Sequence, residues 1–464
     1  MIINNKDQKK PLSHYLFKAE ATKRVFDTLE KGVSLLNSYF IISSISVFSF
    51  GLYQLILSFV SIVRGLGLNF FDGLVAIEMR RYFNVQKPDF AKKIFKENIV
   101  FKIIAGCIMA IAVFFGSQVI ADLYSQDVSN LIKWASILLI TGAFQSLTAI
   151  FVQSIVSFSQ QGLSALREFF KLGMIAYFFF FSHLTISEVV IAHVAAEVFA
   201  TVAFSIFIFI KKYKVAFRGI VETTEPLMWP LVKARGADIF VVFGLKEVIQ
   251  DAAPWLVKIF INTEGVALYS LAVNLTAFIQ DFMPMAGVKP IFALKADNLP
   301  EMAFIFVRSV KYTFWFGVLL FAASFIAVPF LLAIFFPKYV PAIPVFLAMA
   351  AVLPIHGSVK IIQLVLAALR EYKILANRLI GEILVLFIGS AIFLPTIGVV
   401  GIGLVYLARY LERTLYLYGK LVKIHPEFKI KFRNLFIFDK TDKQFIKSFF
   451  PLFFRNKRDI TKVK

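Results

Sequence analysis

Phe50-Gly51-Leu52-Tyr53-Gln54-Leu55 returns in altered form at Gly265-Val266-Ala267-Leu268-Tyr269-Ser270-Leu271, with Tyr53 and Tyr269 standing 216 positions apart. Each Leu-Tyr-x-Leu lies between two long apolar runs and opens the second of them. The first pair runs from Phe26 to Ile77 and the second from Ala237 to Leu294. A bilayer core takes about 20 apolar residues of helix, so each pair has the length of a membrane hairpin. We place the two turns at these motifs.

Working outward from the motifs predicts twelve spans. The first six are about Phe26–Ser46, Gly51–Ile77, Ile99–Val119, Leu131–Phe158, Phe169–Phe181 and Val189–Ile210. The second six are about Ala237–Ile261, Gly265–Leu294, Val310–Phe336, Ile343–Leu369, Ile374–Leu394 and Gly398–Leu421. The expected division is an N-terminal arm 1–25, a first half 26–210, a basic linker 211–235, a second half 236–421 and a basic tail 422–464. Helices 4 and 10 of this series echo each other weakly, in Val152-Gln153 and Ile362-Gln363. Six spans per half return the chain to its starting side. The halves then repeat with the same sense, about an axis along the membrane normal. The expected fold class is an all-α polytopic membrane protein, with two parallel-repeat six-helix lobes around a central cavity.

Composition agrees with a bilayer as solvent. Of 464 residues, 59% are hydrophobic, above the roughly 45–50% of soluble domains, and the mean hydropathy is +0.77. The net charge of +21 does not call for nucleic acid. Most lysines and arginines fall in the arm, the linker, the tail and alternate connections, as the positive-inside rule requires of a chain with both termini in the cytoplasm. Met1–Glu20 is polar and basic and lacks the apolar core of a cleaved signal. Phe445–Phe454 in the tail is too short to span, and we read it as an interfacial segment beside anionic lipid. Cys107 is the single cysteine, so no intramolecular disulfide is available.

No catalytic constellation is visible. Five histidines are scattered, there is no metal-ligand spacing, and Gly65-Leu66-Gly67 reads as a packing feature of mid-helix rather than a phosphate loop. The expectation is a protein without enzymatic activity, metal or cofactor. The chemistry resides in ionisable residues at membrane depth, which must face a cavity or a partner. Arg64 on span 2 is the leading cation, with Lys246 on span 7 and Lys31 on span 1. These could converge on a phosphate or pyrophosphate, or Arg64 could pair with a carboxylate such as Glu197 or Asp281. Span 7 is unusually polar: Glu247 and Asp251 share a face at i and i+4, and Lys246 and Gln250 form an adjacent stripe. A coupling-ion or proton site at Asp251 or Glu247 is an alternative use of the same helix. Pro254 invites a bend there.

The chain resembles bacterial oligosaccharide flippases of the polysaccharide-biosynthesis branch of the multidrug/oligosaccharidyl-lipid/polysaccharide exporter superfamily. The resemblance covers about Phe26–Lys423. It is carried by Phe50-Gly51-Leu52-Tyr53, Gly265 through Tyr269, Phe336-Pro337-Lys338-Tyr339 with Ala342, and Gly398-x-x-Gly401-x-Gly403. Pro337 stands where glycine is common, and the two further helices expected of lipid II flippases are not read. The resemblance implies alternating access and a polyprenyl-pyrophosphate-linked saccharide as cargo for O-antigen, capsule or exopolysaccharide. It also implies a bacterial inner-membrane location and polysaccharide assembly proteins as partners. A cation-coupled drug or metabolite exporter of the same superfamily is the alternative. A membrane-embedded polymerase or ligase would need larger outer loops than these.

Overall fold

The computed structural model describes residues 12–124, 128–155, 161–239, 245–283, 292, 298–431, 433–437 and 442. Among them there is no strand; the protein is an all-α, multi-pass membrane protein. Two compact units can be distinguished. The first takes in the described chain up to Phe278, with Val328–Met349 and Ile383–Val405. It contains α1 (Leu12–Ser44), α2 (Val47–Arg64), α3 (Asp72–Asn84), α4 (Pro88–Phe115), α5 (Ser117–Tyr124) and α6 (Ser129–Ser154). Then follow α7 (Gln161–Phe181), α8 (Ile186–Ile208), α9 (Lys214–Ala216), α10 (Met228–Ile239), α11 (Leu245–Phe260) and most of α12 (Thr263–Gln280). The second unit takes in Ile279–Ala327, Ala350–Glu382 and the described chain from Tyr406. It holds most of α13 (Leu299–Phe335), α15 (Leu353–Ala368), the first part of α16 (Tyr372–Ile397) and most of α17 (Val400–Ile424). The short α14 (Ile343–Ala350) belongs largely to the first.

Burial follows the apolar pattern of each helix. In the most apolar window of α6, 72% of residues are buried, whereas in α13 the figure is 17%. The first is a central helix, packed by α4 and α8; the second presents Phe325, Ile326 and Phe330 outward, which suits lipid. Within the first unit, Phe95, Phe151, Phe217 and Leu74 centre an aromatic core at the ends of α3, α4 and α6. In the second, Phe292, Phe306, Leu366, Leu417 and Phe428 form another. The chain after α17 returns to α13, where Lys311 Nζ meets Asp442 at 2.5 Å and the Trp315 indole N–H donates to the Leu435 carbonyl at 2.8 Å. The interfacial segment expected at Phe445–Phe454 lies outside the described residues.

Six described helices are long and apolar enough to span a membrane, or seven if the broken pair of α14 and α15 counts as one. Others fall short for physical reasons. α7 carries Arg167, Glu168 and Lys171, and α17 carries Arg409, Glu412 and Arg413. Span 10 breaks ahead of Pro354, in the first turn of α15, where a proline lacks the N–H to continue a helix. Span 5 begins earlier than expected, at Gln161 rather than Phe169, because its polar residues face other helices instead of forming a turn.

The hairpin turns are also corrected. The chain turns at Ser44–Ser46, and Phe50-Gly51 already lies inside α2. Ser46 Oγ accepts from the Ser49 N–H at 3.1 Å and caps α2. At the second motif, Asn262 Oδ1 accepts from the Gly265 N–H at 2.7 Å and caps α12. Ser and Asn are favoured N-caps because their oxygens satisfy an otherwise unpaired N–H. Both caps obey the motif offset: Ser46 and Asn262, like Ser49 and Gly265, stand 216 positions apart.

Gly51 has a different duty. A Cβ there would collide with the Thr263 carbonyl and lie 3.2 Å from the Ala267 nitrogen. Ala267 is the repeat partner of Gly51, 216 positions on. The two helices meet through equivalent positions, as elements related by a two-fold axis do. Two aromatic contacts flank the crossing reciprocally. Tyr124, after span 3, packs its ring on Trp255 at 5.1 Å; Phe336, after span 9, packs on Tyr39 at 5.8 Å. Tyr39 and Trp255 are again 216 apart. The glycine motif at the entry to α17 is also a packing device. Gly398 takes φ +66, a left-handed conformation suited to glycine, and a Cβ at Gly401 would strike the Phe393 carbonyl. At Gly67 a Cβ would strike Met109.

Beyond α9 the chain is drawn onto α4. Lys96 Nζ meets Glu222 at 2.6 Å, and Glu97 accepts from the Leu227 and Met228 N–H groups at the start of α10. The hydrogen bond from Lys96 holds the Glu222 carboxyl below the usual carboxylate range. Its contribution is therefore present above the unfolded-state pKa and lost as pH falls through the folded one.

The crossing makes a direct prediction. Gly51→Val should destabilise the protein by about 1–3 kcal/mol through overpacking, read as a lower melting temperature in detergent. Gly32→Ala, where nothing lies within 4 Å of the added carbon, should be neutral or slightly stabilising.

Candidate functional site

Arg64 closes α2 just before a π-helical stretch, Gly65–Asn69. Its Nη2 donates to Gln145 Oε1 at 2.8 Å, and its Nη1 lies 3.7 Å from Glu197 Oε1. The guanidinium lies against Gly142, where a Cβ would collide with it. Gln145 in turn donates to the Thr201 hydroxyl at 2.9 Å. Glu197, 3% exposed at its side chain, is shared with Arg167 at 3.4 Å. Arg167 also contacts Glu168 at 3.2 Å, and Asn37 on α1 donates to the Glu168 carboxylate at 2.9 Å. Nearby, Lys171 donates to the Tyr53 hydroxyl at 3.4 Å, and Tyr53 pairs with His193 Nδ1 at 3.0 Å. Five helices, α1, α2, α6, α7 and α8, thus share one polar network inside an apolar bundle. Its cations are Arg64, Arg167 and Lys171; its carboxylates are Glu168 and Glu197, with Glu30 on α1 close enough to act on Arg167 as well.

Of the residues singled out in the sequence, the structure joins Arg64 and Glu197, the carboxylate pairing given as the alternative to an anion site. Asp251 meets α2 instead: Ser61 Oγ donates to its carboxylate at 2.5 Å and Ser58 Oγ to its carbonyl at 2.6 Å. α11 continues through Pro254 to Phe260, and Gln250 is exposed on it. Lys246 and Glu247 stand in its first turn, and their side chains lie outside the described residues. Lys31 is half-buried on α1, and Asp281 is exposed in the turn that ends α12.

Two charge clusters escaped the sequence reading. Lys102, fully buried on α4, is held by the Asp72 carboxylate, the Leu68 carbonyl and the Ser146 hydroxyl, the last at 2.6 Å. Ser146 also donates to Asp72 at 2.6 Å. Leu68 belongs to the π-helical stretch, where the backbone register shifts and its carbonyl turns to the ammonium. The other cluster lies wholly in the second unit. Arg413 grips Glu382 with two bonds, Nε to Oε1 at 2.7 Å and Nη2 to Oε2 at 2.5 Å. Arg409 Nη2 lies 3.4 Å from the same carboxylate and Arg378 Nε 3.8 Å. Glu412 lies against Gly381, where a Cβ would strike its carboxylate. The signal was available: Arg378 and Glu382, and Arg409 and Arg413, are i, i+4 pairs inside apolar spans 11 and 12. Among the described residues, no group of three or more His, Cys, Asp or Glu is arranged to hold a metal.

No family profile and no curated protein matches the chain. Solved structures do. An inward-facing multidrug resistance MATE family transporter of the MOP superfamily matches with a TM-score of 0.66 at 11% identity, over 85% of this chain and 95% of that one. The lipid II flippase MurJ, in an inward closed conformation, matches with a TM-score of 0.62 at 12% identity, over 94% and 93%. A MOP superfamily transporter from Pyrococcus furiosus, described as having a binding pocket of reverse polarity, matches with a TM-score of 0.60 at 10% identity, over 89% and 96%. The protein therefore has the polytopic helical fold of these transporters.

Removing one member of a buried ion pair strands the other. Lys102→Met should cost about 3 kcal/mol by leaving Asp72 without its counter-charge. The double variant Lys102→Met/Asp72→Asn should recover most of it, measured as thermal unfolding in detergent.

Proposed function

We propose that the protein is a transporter that moves a polyprenyl-pyrophosphate-linked oligosaccharide from the cytoplasmic to the outer leaflet by alternating access, for cell-surface polysaccharide assembly. The observation that carries this is the sign of the buried charge. In the cluster around Glu382, three arginines stand against two carboxylates, Glu382 and Glu412. A buried excess of guanidinium and ammonium groups suits an anionic cargo, because arginine matches phosphate oxygens with paired donors. Arg64, with 20% of its side chain exposed, is our choice for the cation that meets pyrophosphate, with Lys246 and Lys31 as companions. Residues 26–210 and 236–421 are taken as the two halves that rock about the crossing at Gly51. The matched caps at Ser46 and Asn262 and the reciprocal aromatic pairs support that division. The orientation that fits the basic loops puts both termini in the cytoplasm of a bacterial inner membrane, beside anionic lipid. Polysaccharide assembly proteins are the natural neighbours.

A second reading has its own observation. Asp251, bonded by two serines of α2, is an oxygen-rich group of the kind a sodium ion or proton could use. That favours a cation-coupled exporter of small molecules, as does the likeness to multidrug transporters. Glu247, Gln250 and Asp281 would be its polar neighbours.

The two readings separate in liposomes. With a fluorescent polyprenyl-pyrophosphate saccharide, the wild type should expose the sugar to an outside glycosidase, and Arg64→Ala should slow this at least about tenfold. Failure to translocate any of several lipid-linked sugars, with sodium- or proton-driven export of a cationic dye abolished by Asp251→Asn, would replace the first reading with the second.

A further inference from the structure

The arginine cluster of the second unit holds more donors than its own acceptors can take. Arg378, Arg409 and Arg413 bring about fifteen N–H groups between them. Glu382 supplies two oxygens, and Glu412 two more. Arg378 Nε and Nη1 and Arg409 Nε are buried without a hydrogen-bond acceptor among the described residues, and Glu412 Oε2 is buried without a donor. Arg409 is 8% exposed and Glu382 2%. Buried guanidinium N–H groups without acceptors are costly, and three like charges around one carboxylate repel. A structure made only to be stable would replace such a group with apolar side chains at little loss. At membrane depth, ionisable clusters of this kind mark a ligand path.

The surroundings also suit a ligand. Arg413 lies over the Tyr410 ring at 4.9 Å, and the Tyr406 and Tyr410 rings are 5.1 Å apart. Tyr410 pairs with His356 at 3.2 Å, and Gln280 donates to the Tyr406 hydroxyl at 3.3 Å. Aromatic faces with hydroxyl and amide groups stand beside the guanidinium fork, an arrangement able to take a phosphate with a sugar ring attached.

We propose that Arg378, Arg409 and Arg413 form a binding site for a phosphate-class dianion, which enters beside Glu382 and shares its arginines. Glu382 is then a tethered counter-ion that holds the site together when it is unliganded and competes with the incoming anion. Phosphate can come from the pyrophosphate of a lipid-linked saccharide or from an anionic phospholipid head group. The first source rests on the transport reading above; the site itself does not.

The test uses the full chain in phosphatidylcholine nanodiscs, with sodium pyrophosphate as probe, followed by calorimetric titration and thermal shift. The wild type should bind, and Arg409→Gln and Arg378→Gln should each weaken binding at least about tenfold. Arg378 makes the longest contact to Glu382, so its variant keeps folded protein in hand if Arg409→Gln does not fold. Glu382→Gln is the discriminating variant. A competitor removed should tighten binding and enlarge the pyrophosphate-induced rise in melting temperature, an effect a purely structural ion pair would not produce. No wild-type binding, binding indifferent to both arginine variants, or weaker binding in Glu382→Gln would overturn the site. Competition by phosphatidylglycerol added to the nanodiscs would assign it to lipid head groups; its absence, to the cargo. Flipping without pyrophosphate binding would sink this site alone, and pyrophosphate binding without flipping would sink the transport reading alone.

Discussion

The close approach of α2 and α12 at Gly51 is the contact on which the first unit depends. Two helix N-termini cross with backbone against backbone, and only a residue without a Cβ admits the Thr263 carbonyl. The caps at Ser46 and Asn262 set where each helix starts, and so set the height at which they cross. The aromatic contacts Tyr124–Trp255 and Tyr39–Phe336 then brace the crossing from both sides.

Desolvated charge is the second constraint. A lone ion within an apolar bundle is too costly to keep, so each of these charges has recruited partners from other helices. Arg64 draws on α6 and α8, Lys102 on α3 and α6, and Glu382 on α17. These bonds tie the helices into a fixed arrangement where apolar packing against lipid-like surfaces gives little direction. Around Glu382 the same bonds leave three arginines against two carboxylates.

Much of the fold was legible, because the bilayer imposes a length and a composition that appear directly in the residues. Spans such as Ile99–Val119 and Val310–Phe336 correspond to α4 and α13, though both helices begin about eleven residues earlier, in polar sequence that hydropathy assigns to loops. The site was less legible. Arg167 lies before the expected start of span 5 at Phe169, yet in α7 it faces Glu197. Depth along span 2 singles out Arg64, and Glu197 was among the carboxylates weighed as its partner, but nothing along the chain says that Gln145 and Thr201 would lie beside it. Phe50-Gly51 was read as a turn because glycine commonly marks one; the serines just before it carried the turn, and the glycine served a contact 212 residues away at Thr263.

By itself, then, the sequence determined the membrane class, the helical architecture and the repeat with its 216-residue offset. All three follow from local hydropathy and from similarity along one chain. The pairing of charges was decided only by tertiary structure. Whether a buried arginine meets a carboxylate, an amide or the backbone depends on which helix faces lie together, and that is settled by packing among many helices at once. The crossing at Gly51, the three-arginine grip on Glu382 and the enclosure of Lys102 are all of that kind.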